Sequence, residues 1–109
     1  MDASTGKLIS ALSAVVTSVK GAAGQLSWLN VYNPSAAVAY VQLFDSATVG
    51  AVTIGTTPPL VSFAVAAGNT LNLALDRMGF FSGIMAAATT TANGLTAPAS
   101  AMVANFGIR

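Results

Sequence analysis

Three aspartates, two lysines, two arginines and many serine and threonine hydroxyls make up the chemical repertoire of this 109-residue chain; histidine, cysteine and glutamate are absent. Asp45 and Asp76, if brought together, would split their pKa values and serve as acid and base. Each, however, ends an apolar run beside turn residues, where aspartate ordinarily bonds local backbone. A serine nucleophile would have only Lys7 or Lys20 as its base, and neither lies in an obviously buried setting. Zinc sites of His and Cys are excluded, and three scattered aspartates are poor material for calcium. Ser4-Thr5-Gly6-Lys7 ends like a phosphate loop but lacks the upstream glycine and the preceding strand. Gly21 and Gly24 lack a third glycine at dinucleotide spacing. Asn33-Pro34-Ser35 carries the proline that blocks glycosylation. The expectation is a chain that is not an enzyme and takes no cofactor, metal or small-molecule substrate, so that its function resides in its surfaces.

Composition says what kind of surface that is. A domain of this size exposes roughly 5,500 Å² and ordinarily carries about 27 charged side chains. Here Lys7, Lys20, Arg77 and Arg109 stand against Asp2, Asp45 and Asp76, for a net charge of +1. Most of the exterior must be Ala, Ser, Thr, Asn, Gly and apolar side chains, a covering that associates readily because little charge desolvation opposes contact. Nucleic acid is not an expected partner, since its recognition needs clustered Lys and Arg. Neither is a membrane: Gln42, Asp45, Asn69, Asn72, Asp76 and Arg77 interrupt every apolar window of about 20 residues. Leu8–Val19 after Lys7 is too rich in hydroxyls for a signal-peptide core, and Lys20 stands where a cleavage site should be small and neutral. Without cysteine, the redox compartment is left open.

The elements that would position such surfaces are short. Turn signals recur at Gly21–Gly24, Asn33–Ser35, Asp45–Gly50, Thr56–Pro59, Ala67–Asn69, Asp76–Gly79 and Ala92–Pro98. Between them, Ala14–Val19, Gln25–Tyr32, Val38–Asp45, Leu60–Val65, Phe81–Thr91 and Met102–Ile108 read as strands, with a shorter run at Ala51–Ile54. Leu71, Leu73 and Leu75 alternate with Asn72, Ala74 and Asp76 as a half-buried strand does. Seven or eight strands in about 100 residues predict an all-β fold, a two-sheet antiparallel sandwich of jelly-roll type. Residues 13–109 are expected to form this single domain and residues 1–12 a short extended N-terminal arm, the first seven loose or ordered only against a neighbour. A helical stripe at Leu8, Leu12, Val15 and Val19 competes with that reading, and the β-branched Val15, Val16, Thr17 and Val19 favour the extended form.

The aromatic residues suggest where contacts form. If Gln25–Tyr32 pairs with Val38–Asp45 through an odd loop centred on Pro34-Ser35, then Trp28, Asn30 and Tyr32 share a face with Tyr40, Gln42 and Phe44. Leu29, Val31, Val41 and Leu43 then form the inner face. The outward set is of interface type, large in area yet able to hydrogen-bond. The alternative is that these rings complete the core. Phe80 and Phe81 point to opposite faces; one should be core and the other covered, by a neighbouring subunit or by a loop of the same chain. Phe80 joins the candidate interface.

The stretch Gly24-Gln-Leu-Ser-Trp-Leu-Asn-Val-Tyr-Asn33-Pro-Ser-Ala-Ala-Val-Ala-Tyr40-Val-Gln-Leu-Phe-Asp45, with Thr57-Pro58-Pro59-Leu60 and Ala67-Gly68-Asn69, resembles the small head decoration, or cement, proteins of tailed bacteriophages. The likeness covers roughly residues 13–108 and rests on strands, an Asn-Pro turn and apolar alternation. It implies a β-sandwich made in the host cytoplasm, often trimeric, that attaches to the major capsid protein on the outside of the virion and stabilises the mature head. A tail- or fibre-associated virion protein and a glycan-binding sandwich, with Trp28, Tyr32 and Tyr40 stacking on sugar rings, are the rival expectations.

Overall fold

The computed structural model describes residues 5–109 as eight antiparallel strands in two packed sheets: β1 (Thr5–Leu12), β2 (Thr17–Lys20), β3 (Gly24–Tyr32), β4 (Ala39–Asp45), β5 (Val61–Val65), β6 (Thr70–Phe80), β7 (Ile84–Thr89) and β8 (Met102–Ile108). The first sheet has the order β1-β8-β3-β6 and the second β2-β7-β4-β5. This is the jelly-roll order, and it follows from one long hairpin. Thr17 pairs with Ala86, Tyr32 with Thr70 and Ala39 with Val65, each pair centred on about residue 52. β1 pairs with β8 in the same sense, after a register shift. The hairpin bends from sheet to sheet, and β3·β8 and β4·β7 pairing then closes the two layers.

Alternation decides what faces inward. Leu29 and Val31 on β3, Val41 and Leu43 on β4, and Ala104 and Phe106 on β8 fill the space between the sheets with Leu12, Leu26, Ile84 and Met102. Leu26 and Leu29 are separated by an odd step, so a simple strand would place them on opposite faces. A bulge at Ser27 absorbs the step. Its partner β6 is irregular at the same place, where Asp76 (φ 47°) and Arg77 (φ 66°) adopt the left-handed region. Asp76–Gly79 is therefore not a turn between strands but a bulge inside β6, held extended by the pairing of Met78–Phe80 with Gly24–Leu26.

Every residue of β7 is buried, because the second sheet is covered on both sides. Ala86 and Ala88 face the first sheet; Met85 and Ala87 join Phe44 and Val52 in a second cluster beneath the chain's own loops. The alanine run is short enough in the side chain to pass between two layers. The outer cover is the β4–β5 connection, where a 3₁₀ turn at Val49–Ala51 replaces the expected strand at Ala51–Ile54 and Gly55 (φ 87°) turns the chain beneath Leu95.

Residues 5–12 are extended as expected, yet they are a strand of the first sheet paired with β8 rather than an arm outside the domain. Ile9 and Leu12 are buried there. Of the seven residues expected to be loose, Thr5, Gly6 and Lys7 lie in β1, and the rest fall outside the described residues. The expected strand Ala14–Val19 begins later, at Thr17.

β3 and β4 do not pair. The chain between them crosses from one sheet to the other, and Asn33 makes the crossing. Its buried Nδ2 donates to the carbonyls of Ala37 and Val65, both at 2.9 Å, and more distantly to Ala66 at 3.4 Å. Its Oδ1 accepts from the Ser35 N–H at 3.0 Å, and its own N–H donates to the Asn69 carbonyl at 2.9 Å. Ser35 continues the corner, its hydroxyl donating to the Ser100 carbonyl and accepting the Ser100 N–H. Replacing a fully used, buried amide leaves several backbone groups unpaired, at about 1–3 kcal/mol each. Asn33→Ala is expected to lose about 3 kcal/mol, lowering the thermal midpoint by more than about 10 °C for a domain of this size. A drop of only a degree or two in a calorimetric scan would remove Asn33 from this role.

Candidate functional site

The outer face of the first sheet is built by register. Asn72 on β6, Asn30 on β3 and Asn105 on β8 are successive cross-strand partners, and Leu8 on β1 ends the row. One row aligns Thr70, Tyr32 and Val103; the other aligns Ala74, Trp28, Gly107 and Gly6. None of these residues is charged. The Asn30 Nδ2 donates to the Asn72 Oδ1, which ties neighbouring strands through their side chains. A shallow groove of about 450 Å³ runs between Trp28, Asn30, Asn72 and Ala74.

Trp28 is 38% exposed because one face of its indole lies on Gly107. A side chain at 107 would occupy the ring's space, so glycine is required there by close approach rather than by backbone conformation. An aromatic ring shielding a strand glycine across the ladder is a known stabilising device. Tyr32, 42% exposed, presents its ring from the row on the far side of the asparagines.

The other proposed contacts sit elsewhere. Tyr40, Gln42 and Phe44 do point outward from their strand, but from the opposite sheet, so they do not join Trp28, Asn30 and Tyr32 in one surface. Gln42 is buried under the 90–98 loop, its Nε2 donating to the Thr89 hydroxyl at 2.6 Å and the Gly94 carbonyl at 3.1 Å. Phe44 is buried in the second cluster, and Tyr40 is half-buried. Phe80 is the core member of its pair at 3% exposure, whereas Phe81 is 92% exposed. Asn72, Asn105, Val103 and Leu8 belong to the face and were missed. For Asn72, Asn105 and Val103 the signal was the outward half of the alternation in expected strands, whereas Leu8 lies in residues 1–12, which were expected to be an arm and are a strand.

Asp45 and Lys20 have structural work. Asp45 clamps the turn after β6: its Oδ2 accepts the Phe81 N–H at 3.1 Å, and its Oδ1 accepts those of Ser82 at 2.8 Å and Gly83 at 3.4 Å. Burial pushes the carboxyl up, but the Ser82, Phe81 and Gly83 donors outweigh it and hold Asp45 below the usual carboxylate range. A carboxylate so held is a weak base. The Lys20 ammonium donates to the Arg109 carbonyl at 2.8 Å. Among the described residues no three metal-ligating side chains of the His, Cys, Asp or Glu type cluster together. Beside Asp45, the β4–β5 connection encloses a second hollow, of about 400 Å³, walled by Phe44, Ala51, Val52, Pro58, Pro59 and Leu60.

Two outcomes follow. A group with a depressed folded pKa contributes stability that is present above its unfolded pKa, about 3.9 for Asp, and lost as pH falls through the folded value. Asp45→Asn should destabilise the fold at pH 7, by less than a buried hydrogen-bonded carboxylate would because solvent screens this one, and the gap from wild type should narrow between pH 7 and about pH 3 in urea titrations. An equal gap at both pH values would show that the charge does not hold the turn. Gly107→Ala must displace the indole, so emission from the single tryptophan should shift to the red with a loss of about 1–3 kcal/mol. Unchanged emission would separate Trp28 from Gly107.

Comparison with protein-family models, curated proteins and solved structures finds no match for this chain. Its function has to be read from the charge-free face and the hollow.

Proposed function

We propose that this chain is a virion structural protein, a capsid decoration or cement subunit whose copies associate with one another and seat on the outer surface of the major capsid protein lattice. The observation that carries the reading is the outer face of the first sheet, three rows of Leu, Val, Trp, Tyr, Asn, Thr, Ala and Gly without a charge among them. Such a face is buried without stranding an ion, a penalty of several kcal/mol per charge. Its amides and the Tyr32 hydroxyl supply hydrogen bonds that fix orientation. The jelly roll is an architecture shared by viral capsid and lectin domains, and it carries no function by itself.

The magnitude suits a lattice. Four strands about 4.8 Å apart and three rows about 7 Å apart give roughly 400 Å² per partner, or about 800 Å² of total surface buried per contact. One such contact is weak. Repeated over a shell, with copies linked to one another, weak contacts gain effective concentration and hold by avidity.

The groove beside Trp28, Asn30 and Asn72 favours one alternative, a glycan-binding role in which a sugar ring stacks on the indole face turned away from Gly107 and bonds the amides. The experiment measures copy number in purified particles and the temperature at which shells with and without the chain rupture. Hundreds of copies and earlier rupture of bare shells are expected; a few to dozens would place the chain in the tail or its fibres. Asn72→Lys and Val103→Lys, both at exposed positions, should retain the fold and reduce attachment about tenfold or more by placing a cation in the contact. Undiminished attachment of both variants would remove this face from the reading. Specific glycan-array binding abolished by Trp28→Ala would replace the reading with the lectin alternative.

A further inference from the structure

Phe81 and the hollow of the β4–β5 connection are the two features that the face of the first sheet leaves unexplained. Phe81 is almost fully solvated at 92% exposure, the highest among the exposed large apolar side chains. It is not on a loose loop. Asp45 fixes the N–H groups of residues 81–83, and the Gly83 carbonyl accepts the Ser46 N–H at 3.2 Å. Gly83 also lies so close to the backbone of Ser46, Ala47 and Lys20 that no side chain would fit. The ring is thus presented from a pinned turn, which reduces the ordering cost of inserting it into a partner.

The hollow beside it is of matching chemistry. Its volume of about 400 Å³ exceeds the roughly 150 Å³ that accommodates an aromatic ring. Phe44, Val52, Pro58, Pro59 and Leu60 supply an apolar wall, and Leu60 at its rim is half exposed. Among the described residues the one charged group lining it is Asp45, whose oxygens already accept backbone N–H groups, so closing the hollow strands no new ion.

We propose that Phe81 is a knob that inserts into the β4–β5 hollow of a second copy of this chain. Asp45 both lines the hollow and clamps the knob's turn, so knob and hollow stand side by side on one molecule. Two copies related by a two-fold therefore exchange knobs, each ring entering the other's hollow, and the contact closes on itself. Two buried Phe rings and the walls they enter remove about 700 Å², less than the roughly 1,200 Å² of a tight specific interface, so the exchange makes a weak, concentration-dependent dimer. Leu60 and the exposed Val49 on the same connection extend the contact. The inference adds a two-fold contact distinct from the trimer that the decoration-protein reading implies, and it does not depend on the capsid.

The test is the mass of the full chain in solution by sedimentation equilibrium. Wild type should exceed its 10.8 kDa monomer mass, and Phe81→Ser and the rim variant Leu60→Arg should each weaken association about tenfold or more. Because residue 81 is solvated in the single chain, Phe81→Ser should leave the Trp28 emission and far-UV spectrum unchanged, which separates lost association from misfolding. A wild-type monomer at about 100 µM, or a Phe81→Ser variant that sediments as wild type does, overturns the inference. Association through Phe81 in a chain that does not bind shells would instead sink the capsid reading and leave this one standing.

Discussion

The Asn33 carboxamide binds the two arms of the doubled hairpin where both leave one sheet for the other. On the first arm the bend is residues 33–38, and on the returning arm it is the turn from Ala66 to Asn69. The carbonyls of Val65 and Ala66 lie on the second arm and that of Ala37 on the first, so one side chain holds both. A buried amide with its donors and acceptor engaged is specific as well as stabilising, because any other angle between the sheets leaves these groups unpaired. The other crossings are also held between the two arms, by different contacts. Residues 21–23 and 81–83 bend together at the next one, with Gly83 packed on the Lys20 backbone and Asp45 clamping the turn. At the third, the Ala88 N–H reaches the Ser13 carbonyl.

This construction explains which parts of the fold were legible in the sequence. Alternation reports which face a side chain takes, and it placed Leu29, Val31, Val41 and Leu43 inward correctly. It does not report which strand lies alongside. Asn-Pro-Ser is as suitable for a corner between sheets as for a hairpin within one, so the condition that β3 pairs with β4 could be posed from the sequence, and the structure does not meet it. The same limit separates Tyr40, Gln42 and Phe44 from Trp28. They do face outward, but the 46–60 and 90–98 loops return over them, and strand periodicity carries no record of loop cover.

Phe80 and Phe81 show a second kind of limit. Continued from Leu71, Leu73 and Leu75, the two-residue period brings residue 81 inward and residue 80 outward. The left-handed pair Asp76–Arg77 inserts an odd step, after which Met78 and Phe80 face the core and Phe81 is expelled. Asp is among the residues that tolerate this conformation; Arg tolerates it less readily, at a cost of roughly 1–2 kcal/mol. The burial of Met78 and Phe80 and the matching bulge at Ser27 offset that cost. At the N-terminal end, the β-branched residues prevailed over the helical stripe, because β8 and β7 offer edges on which Thr5–Leu12 and Thr17–Lys20 complete their backbone hydrogen bonding.

The scarcity of charge has a second consequence, at the sheet edges. A sheet edge presents unpaired N–H and C=O groups, and proteins blunt such edges with charges and bulges to prevent strand-to-strand aggregation. The edges here are β1 and β6 in the first sheet and β2 and β5 in the second. Lys7 lies on β1, Lys20 on β2, and Asp76 and Arg77 on β6 at its bulge. Four of the seven charged residues therefore occupy edge strands, and the rows of the first sheet's outer face carry none. Three of the four edge strands thus carry charge while β5 carries none, so charge opposes indiscriminate strand pairing on β1, β2 and β6 and leaves contact on the broad face to shape, rings and amides.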